Sequence, residues 1–140
     1  MAANRTFLGS VHRNQPEQLE LPAATALTPG MIALRVANEL RTHNVADAGG
    51  YVYIVKELTA GGTVDDAYAI ADTAQAYIPY SGDMYQALVA TGQALTVDTP
   101  LTSNGAGLLV IATPATDVVI CYADETVTTV ATTKVRVKFK

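Results

Sequence analysis

Lys134-Val135-Arg136-Val137-Lys138-Phe139-Lys140 alternates without a break between cationic and apolar side chains. A strand points successive side chains to opposite faces, so this stretch turns Val135, Val137 and Phe139 inward and all four cations outward. It is the clearest strand in the chain and sets a β reading for what precedes it. Residues 126–130, 118–123, 108–112, 94–97, 84–89 and 73–80 read as further short strands, separated by turn residues. Residues 51–57 are β-branched and aromatic, and 31–36 and 40–44 flank a turn at Ala37-Asn38-Glu39. Gly82-Asp83 and Gly92-Gln93 give tight reversals, Asn104-Gly105 offers the positive φ that hairpin loops require, and Pro79 suits only an edge or a strand end. Two stretches compete as helix. Ala33, Ala37 and Leu40 have helical spacing after Pro29, and Asp65-Asp66-Ala67-Tyr68-Ala69-Ile70-Ala71 joins early acids to good helix formers, enough for one or two turns. The expected architecture is all-β: a compact barrel- or sandwich-like body over residues 22–140 with at most one short helix, preceded by an extended N-terminal arm over 1–21.

The arm has no sustained period. Asn14, Gln15 and Pro16 interrupt it, and its one pattern is Leu19-Glu20-Leu21 before Pro22. Its large apolar residues Phe7, Leu8, Val11, Leu19 and Leu21 gain nothing by staying in water, so an ordered arm is expected to lie on something apolar, such as a neighbouring chain. The competing reading is a frayed end that touches nothing.

Composition narrows the function classes. With 140 residues, 49% of them apolar, the chain can bury a real core and is not disordered. Charged residues are only 16%, and a net charge of -4 opposes binding to phosphate backbones, so no nucleic-acid partner is expected. The longest uncharged stretch, 99–116, is broken by Pro100, Asn104, Gly105, Gly107 and Pro114, so no membrane span is expected. The apolar run near the start is too short for a secretory signal, which points to synthesis in a cytoplasm. There are 23 Ala and 18 Thr against four Lys. Lysine is depleted at interfaces and short side chains lose little entropy there, so this profile suggests a surface covered by neighbours, against the alternative of a quiet monomer surface.

Charge is sorted along the chain. From Glu57 to Thr133 there are nine acids and no Lys or Arg, after which the last seven residues hold four bases. The basic face of the final strand is either a solvated edge that discourages aggregation or, through Arg136 and Lys138, a surface that meets acids on a neighbouring subunit. Tyr80 and Tyr85 join that candidate interface, because tyrosine favours contacts between proteins.

The search for chemistry assigns no catalytic, metal-ligating or cofactor-binding residue. Cys121 sits in an apolar strand and reads as an inert buried thiol. Ser10, Ser81 and Ser103 with His12 or His43 form no Gly-x-Ser-x-Gly elbow. Adjacent Asp65 and Asp66 point apart, and Gly49-Gly50 and Gly61-Gly62 are isolated pairs without a phosphate-cradle pattern. No run of oxygen ligands around a glycine turn suggests calcium.

The order of segments carries more. Leu21-Pro22-Ala23-Ala24, Leu27-Thr28-Pro29-Gly30-Met31, Asp65-Asp66-Ala67-Tyr68-Ala69-Ile70-Ala71-Asp72 and Tyr77-Ile78-Pro79 resemble the head decoration (cement) proteins of tailed bacteriophages. Gly82-Asp83-Met84-Tyr85-Gln86-Ala87-Leu88-Val89-Ala90-Thr91-Gly92-Gln93 and Asp98-Thr99-Pro100-Leu101-Thr102-Ser103-Asn104-Gly105-Ala106-Gly107 look like that family's central hairpins, and Val135-Arg136-Val137 like its closing strand. Relatives often close the hairpin after Met31 with Gly, where this chain has Ala37-Asn38-Glu39. The resemblance spans residues 20–140. It implies a β-barrel-like body on the exterior of an icosahedral virion, commonly as a homotrimer, with the major capsid protein as partner and no cofactor or enzymatic activity. Phe7, Leu8, Val11, Leu19 and Leu21 would then contact the shell or a neighbouring subunit. Two other classes stay open: a glycan-binding surface module using exposed tyrosines, and a small hydrolase pairing His43 with an acid.

Overall fold

The computed structural model describes residues 5–10, 17–48, 50–57 and 63–140. Among these residues there are thirteen strands and no helix: β1 (Phe7–Gly9), β2 (Glu17–Pro22), β3 (Ile32–Val36), β4 (Glu39–Thr42), β5 (Tyr53–Val55), β6 (Thr73–Ile78), β7 (Met84–Val89), β8 (Ala94–Leu95), β9 (Pro100–Ser103), β10 (Leu109–Ile111), β11 (Cys121–Ala123), β12 (Val127–Thr128) and β13 (Thr133–Phe139). The chain is a compact all-β fold.

The alternating C-terminal stretch closes a barrel. β13 pairs antiparallel with β7 over six residues and with β11 over three, completing the ring β7-β10-β9-β11-β13; β1 adds to the other edge of β7. Val135 and Val137 are fully buried and Phe139 nearly so, while Arg136 and Lys138 face solvent, as the alternation requires. The solvated-edge reading is corrected: β13 has partners on both sides. Its cations are tolerated because the outer face of the barrel, and not a free edge, meets water.

The second sheet has the order β2-β6-β5-β3-β4 and is antiparallel throughout. It curls until its ends approach, where a parallel bridge joins Ala23 to Leu40 and the Ala24 N–H donates to the Leu40 carbonyl at 2.7 Å. Ala23, Ala33, Ala74 and Ala76 line its interior with Leu27, Leu40, Tyr53, Val55 and Tyr68. Small side chains suit so tight a curl. Ile32, Ile54 and Tyr77, on the opposite faces of β3, β5 and β6, belong instead to the barrel's core. These three strands are therefore a wall shared by two cores, which explains the unbroken apolar run Tyr53-Ile54-Val55. Several alanines that composition assigned to a covered surface are core residues.

The expected arm is extended, and its described parts are strands. β1 pairs with the start of β7, and β2 pairs with β6 along its whole length, so the expected boundary at residue 21 falls inside a strand. Phe7 stacks with Tyr77 and Tyr85 at centroid distances of 5.9 and 5.3 Å, while Leu19 and Leu21 pack on the second core. Their apolar area is met by the chain itself.

The helix expected at residues 65–71 does not form. The Thr63 N–H donates to Asp66 Oδ2 at 2.8 Å and the Ala69 N–H to Asp72 Oδ2 at 2.9 Å, so each aspartate closes a local turn that competes with helical bonding. Between the turns, Tyr68 bridges to Leu27 and is buried. The helical spacing of Ala33, Ala37 and Leu40 is likewise overridden, by the β3–β4 hairpin.

Candidate functional site

The two sheets separate at one end and leave an open groove of about 280 Å³, lined by residues 50–52, 78–79, 118–120 and 139–140. Phe139 reaches it from the barrel core, where its ring meets Tyr85 edge-on at 5.3 Å. The Val118 N–H donates to the Asp47 carbonyl at 3.0 Å, holding the segment before β11 beside the loop that leads to Tyr51. Within this lining Tyr51 is 81% and Val118 50% exposed, and Tyr80, which follows the lining residue Pro79, is 42% exposed. Of the nine large apolar side chains exposed among the described residues, two line this one opening and a third, Tyr80, stands next to its lining residue Pro79. The Glu17 carboxylate beside the Tyr80 hydroxyl raises its pKa above the ordinary tyrosine value.

The cations of β13 divide into two pairs. Lys134 Nζ lies 2.8 Å from Asp65 Oδ1, and Arg136 Nε lies 2.9 Å from Asp124 Oδ2 while its Nη2 donates to the Asp124 carbonyl at 2.7 Å. No ion pair among the described residues involves Lys138 or Lys140, and Lys140 lines the groove. Lys138 is flanked in register by Met84 and Tyr122.

The acid-rich middle of the chain has an internal explanation as well. Asp66, Asp72, Asp83 and Asp117 each accept a backbone N–H three or four residues upstream and so hold turns. Glu57 accepts the Thr6 N–H at 3.0 Å and fixes the chain entering β1, while Asp65 and Asp124 serve the β13 cations. Charge sorting along the sequence therefore reflects turn chemistry and intrachain pairing before any partner is invoked.

Of the expected interface residues, Tyr80, Arg136 and Lys138 are at the surface. Tyr85 is a correction: it is fully buried, packed among Phe7, Tyr77 and Phe139, because β7 turns it into the barrel. Burial pushes the phenols of Tyr77 and Tyr85 well above the usual tyrosine range. Leu8 is half-buried at β1, whereas Val11 lies outside the described residues, as do His12, Arg13, Gly49 and the Gly61-Gly62 pair. The groove-lining residues Val118 and Val119 were legible only as part of a strand, which in fact starts at Cys121.

Among the described residues, none of the histidines, serines or acids considered for chemistry lines the groove. His43 is fully buried between the sheets, where its N–H donates to the Ile32 carbonyl and its carbonyl accepts from Gly107, and the groove lining contains no histidine or carboxylate side chain. Ser103 is buried and its Oγ accepts the Gly105 N–H. Cys121 is buried, and desolvation pushes its thiol up. Among the described residues no group of three metal-ligating side chains occurs, and no helix is long and apolar enough to cross a membrane. No protein-family model and no curated protein matches this chain.

Proposed function

We propose that this chain is a structural head decoration (cement) protein that binds the outer surface of an icosahedral bacteriophage shell and stabilises it. The observation that carries the reading is the way the stretches resembling that family fold. The segment 82–93 supplies β7, the segment 98–107 supplies β9, and Val135-Arg136-Val137 lies in the strand that joins β7 to β11 and closes the barrel. The cluster of exposed apolar side chains around the groove gives such a body a surface with which to bind.

The mechanism requires no chemistry. A body that binds the assembled lattice and not its separated subunits shifts the equilibrium toward the intact shell by mass action, increasingly so as its free concentration exceeds its dissociation constant. Heads prepared without the chain should lose DNA at a lower temperature than heads to which the purified chain has been restored. Equal release temperatures at saturating occupancy would overturn the stabilising role.

A second reading is favoured by one feature, the exposed rings of Tyr51 and Tyr80 beside the groove, which suit stacking on sugars. It requires the free protein to bind glycans, which a glycan array tests directly.

A further inference from the structure

We propose that the groove between the two sheets is where this chain docks on its shell partner, and that it receives a protein segment presenting an apolar side chain beside a carboxylate. The inference rests on the decoration reading and adds the surface and the partner chemistry to it. Tyr51 and Val118 leave their apolar area in water at the lip, while Phe139 extends the apolar lining to the barrel core. An apolar centre with a charged rim is the anatomy of a protein interface. Lys140 lines the groove and Lys138 stands two residues before it on the outward face of β13; Lys134 and Arg136 are matched by Asp65 and Asp124, whereas Lys138 and Lys140 have no ion pair among the described residues. In a chain of net charge -4, an unmatched pair of cations beside an apolar opening selects an acidic partner through charge complementarity. The aliphatic side chains of Val52, Ile78, Val118, Val119 and Ile120, against Tyr51 and Lys140 as the polar side chains of the lining, favour a protein segment over a sugar, which needs several converging polar groups.

The test is occupancy on heads purified without the chain, titrated with wild type, Val118→Glu, the double variant Lys138→Glu/Lys140→Glu, and Val130→Glu. Val130 is 90% exposed and outside the groove, so it controls for adding a charge to the surface. Circular dichroism of each variant checks folding; all three sites are on the surface. The expected result is binding about tenfold or more weaker for the two groove variants, with wild-type occupancy for Val130→Glu, and wild-type binding that weakens as salt rises. Equal occupancy by folded wild type and groove variants, with wild type binding the heads, overturns the groove assignment and leaves the decoration reading standing. Failure of folded wild type to bind at all overturns both. Binding of the free protein to a glycan array, lost in Val118→Glu, would assign the groove to sugars instead.

Discussion

Gly107 is one of the points at which the barrel is fastened to the second sheet, and its replacement by alanine tests that junction. It lies in the turn between β9 and β10 at φ 80°, donates its N–H to the His43 carbonyl at 3.1 Å and accepts the Ile32 N–H at 3.0 Å. A Cβ there would sit 2.7 Å from Thr42 Cγ2, well inside contact distance. Thr42 cannot turn away freely, because its Oγ1 lies 2.9 Å from Thr25 Oγ1 and its N–H donates to the same oxygen. The left-handed conformation costs alanine about 1–2 kcal/mol. Overpacking adds about 1–3 kcal/mol, and the stiffer unfolded chain returns about 0.4–1 kcal/mol. The net loss is about 1–5 kcal/mol and centres near 3, roughly a 10 °C fall in Tm for a chain of this size. Gly92→Ala is the control: its φ is also 80°, but nothing lies within 4 Å of the added Cβ, so strain alone should cost about 1 kcal/mol. Thermal and urea unfolding of both variants measure the difference. A loss for Gly107→Ala no larger than for Gly92→Ala would refute the close packing of the two sheets.

Phe7→Ala should lower the stability of the isolated chain by about 2 kcal/mol, below the ~3–5 kcal/mol of a fully buried Phe, because the ring packs on Tyr77 and Tyr85; an unchanged Tm would mean that Phe7 has no anchoring role within its own chain. Ala37→Gly should be neutral or stabilising by up to about 1 kcal/mol in urea unfolding, since Ala37 holds φ 53° at the β3–β4 turn. Tyr68, Tyr77 and Tyr85 have phenols raised by burial, so their contribution to stability is complete below the unfolded tyrosine pKa of about 10 and falls as pH rises above it. Phenolate absorbance should therefore rise late and together with loss of structure, and full ionisation of a still-folded chain would contradict the burial.

The sequence made the strands with strong alternation or β-branched runs legible. Residues 84–89 coincide with β7, and Val135, Val137 and Phe139 point inward as read. β9 has no clear strand signal in the sequence, because Pro100 and the turn at Asn104-Gly105 read as breakers, although Pro at the first position of a strand costs no interior ladder bond. β2 was hidden differently. Glu17-Gln18-Leu19-Glu20-Leu21-Pro22 keeps only a half-buried face, and its partner β6 lies more than fifty residues away, beyond any local pattern. Tyr85 could not be told from Tyr80 by residue type; the register of β7 buries one, while the other stands past the end of β6. The groove was not legible at all. Its walls come from four separated segments, and only the tertiary approach of two sheets brings them to one opening.

Cryo-electron microscopy of virus particles recovered from the source of this chain tests the proposed decoration role most directly. Decoration predicts density on the outside of the shell into which this fold docks as a closed barrel with its curled companion sheet, at every equivalent lattice position. Particles whose exterior carries no such density, while the chain is expressed in the cells that produce them, would contradict it.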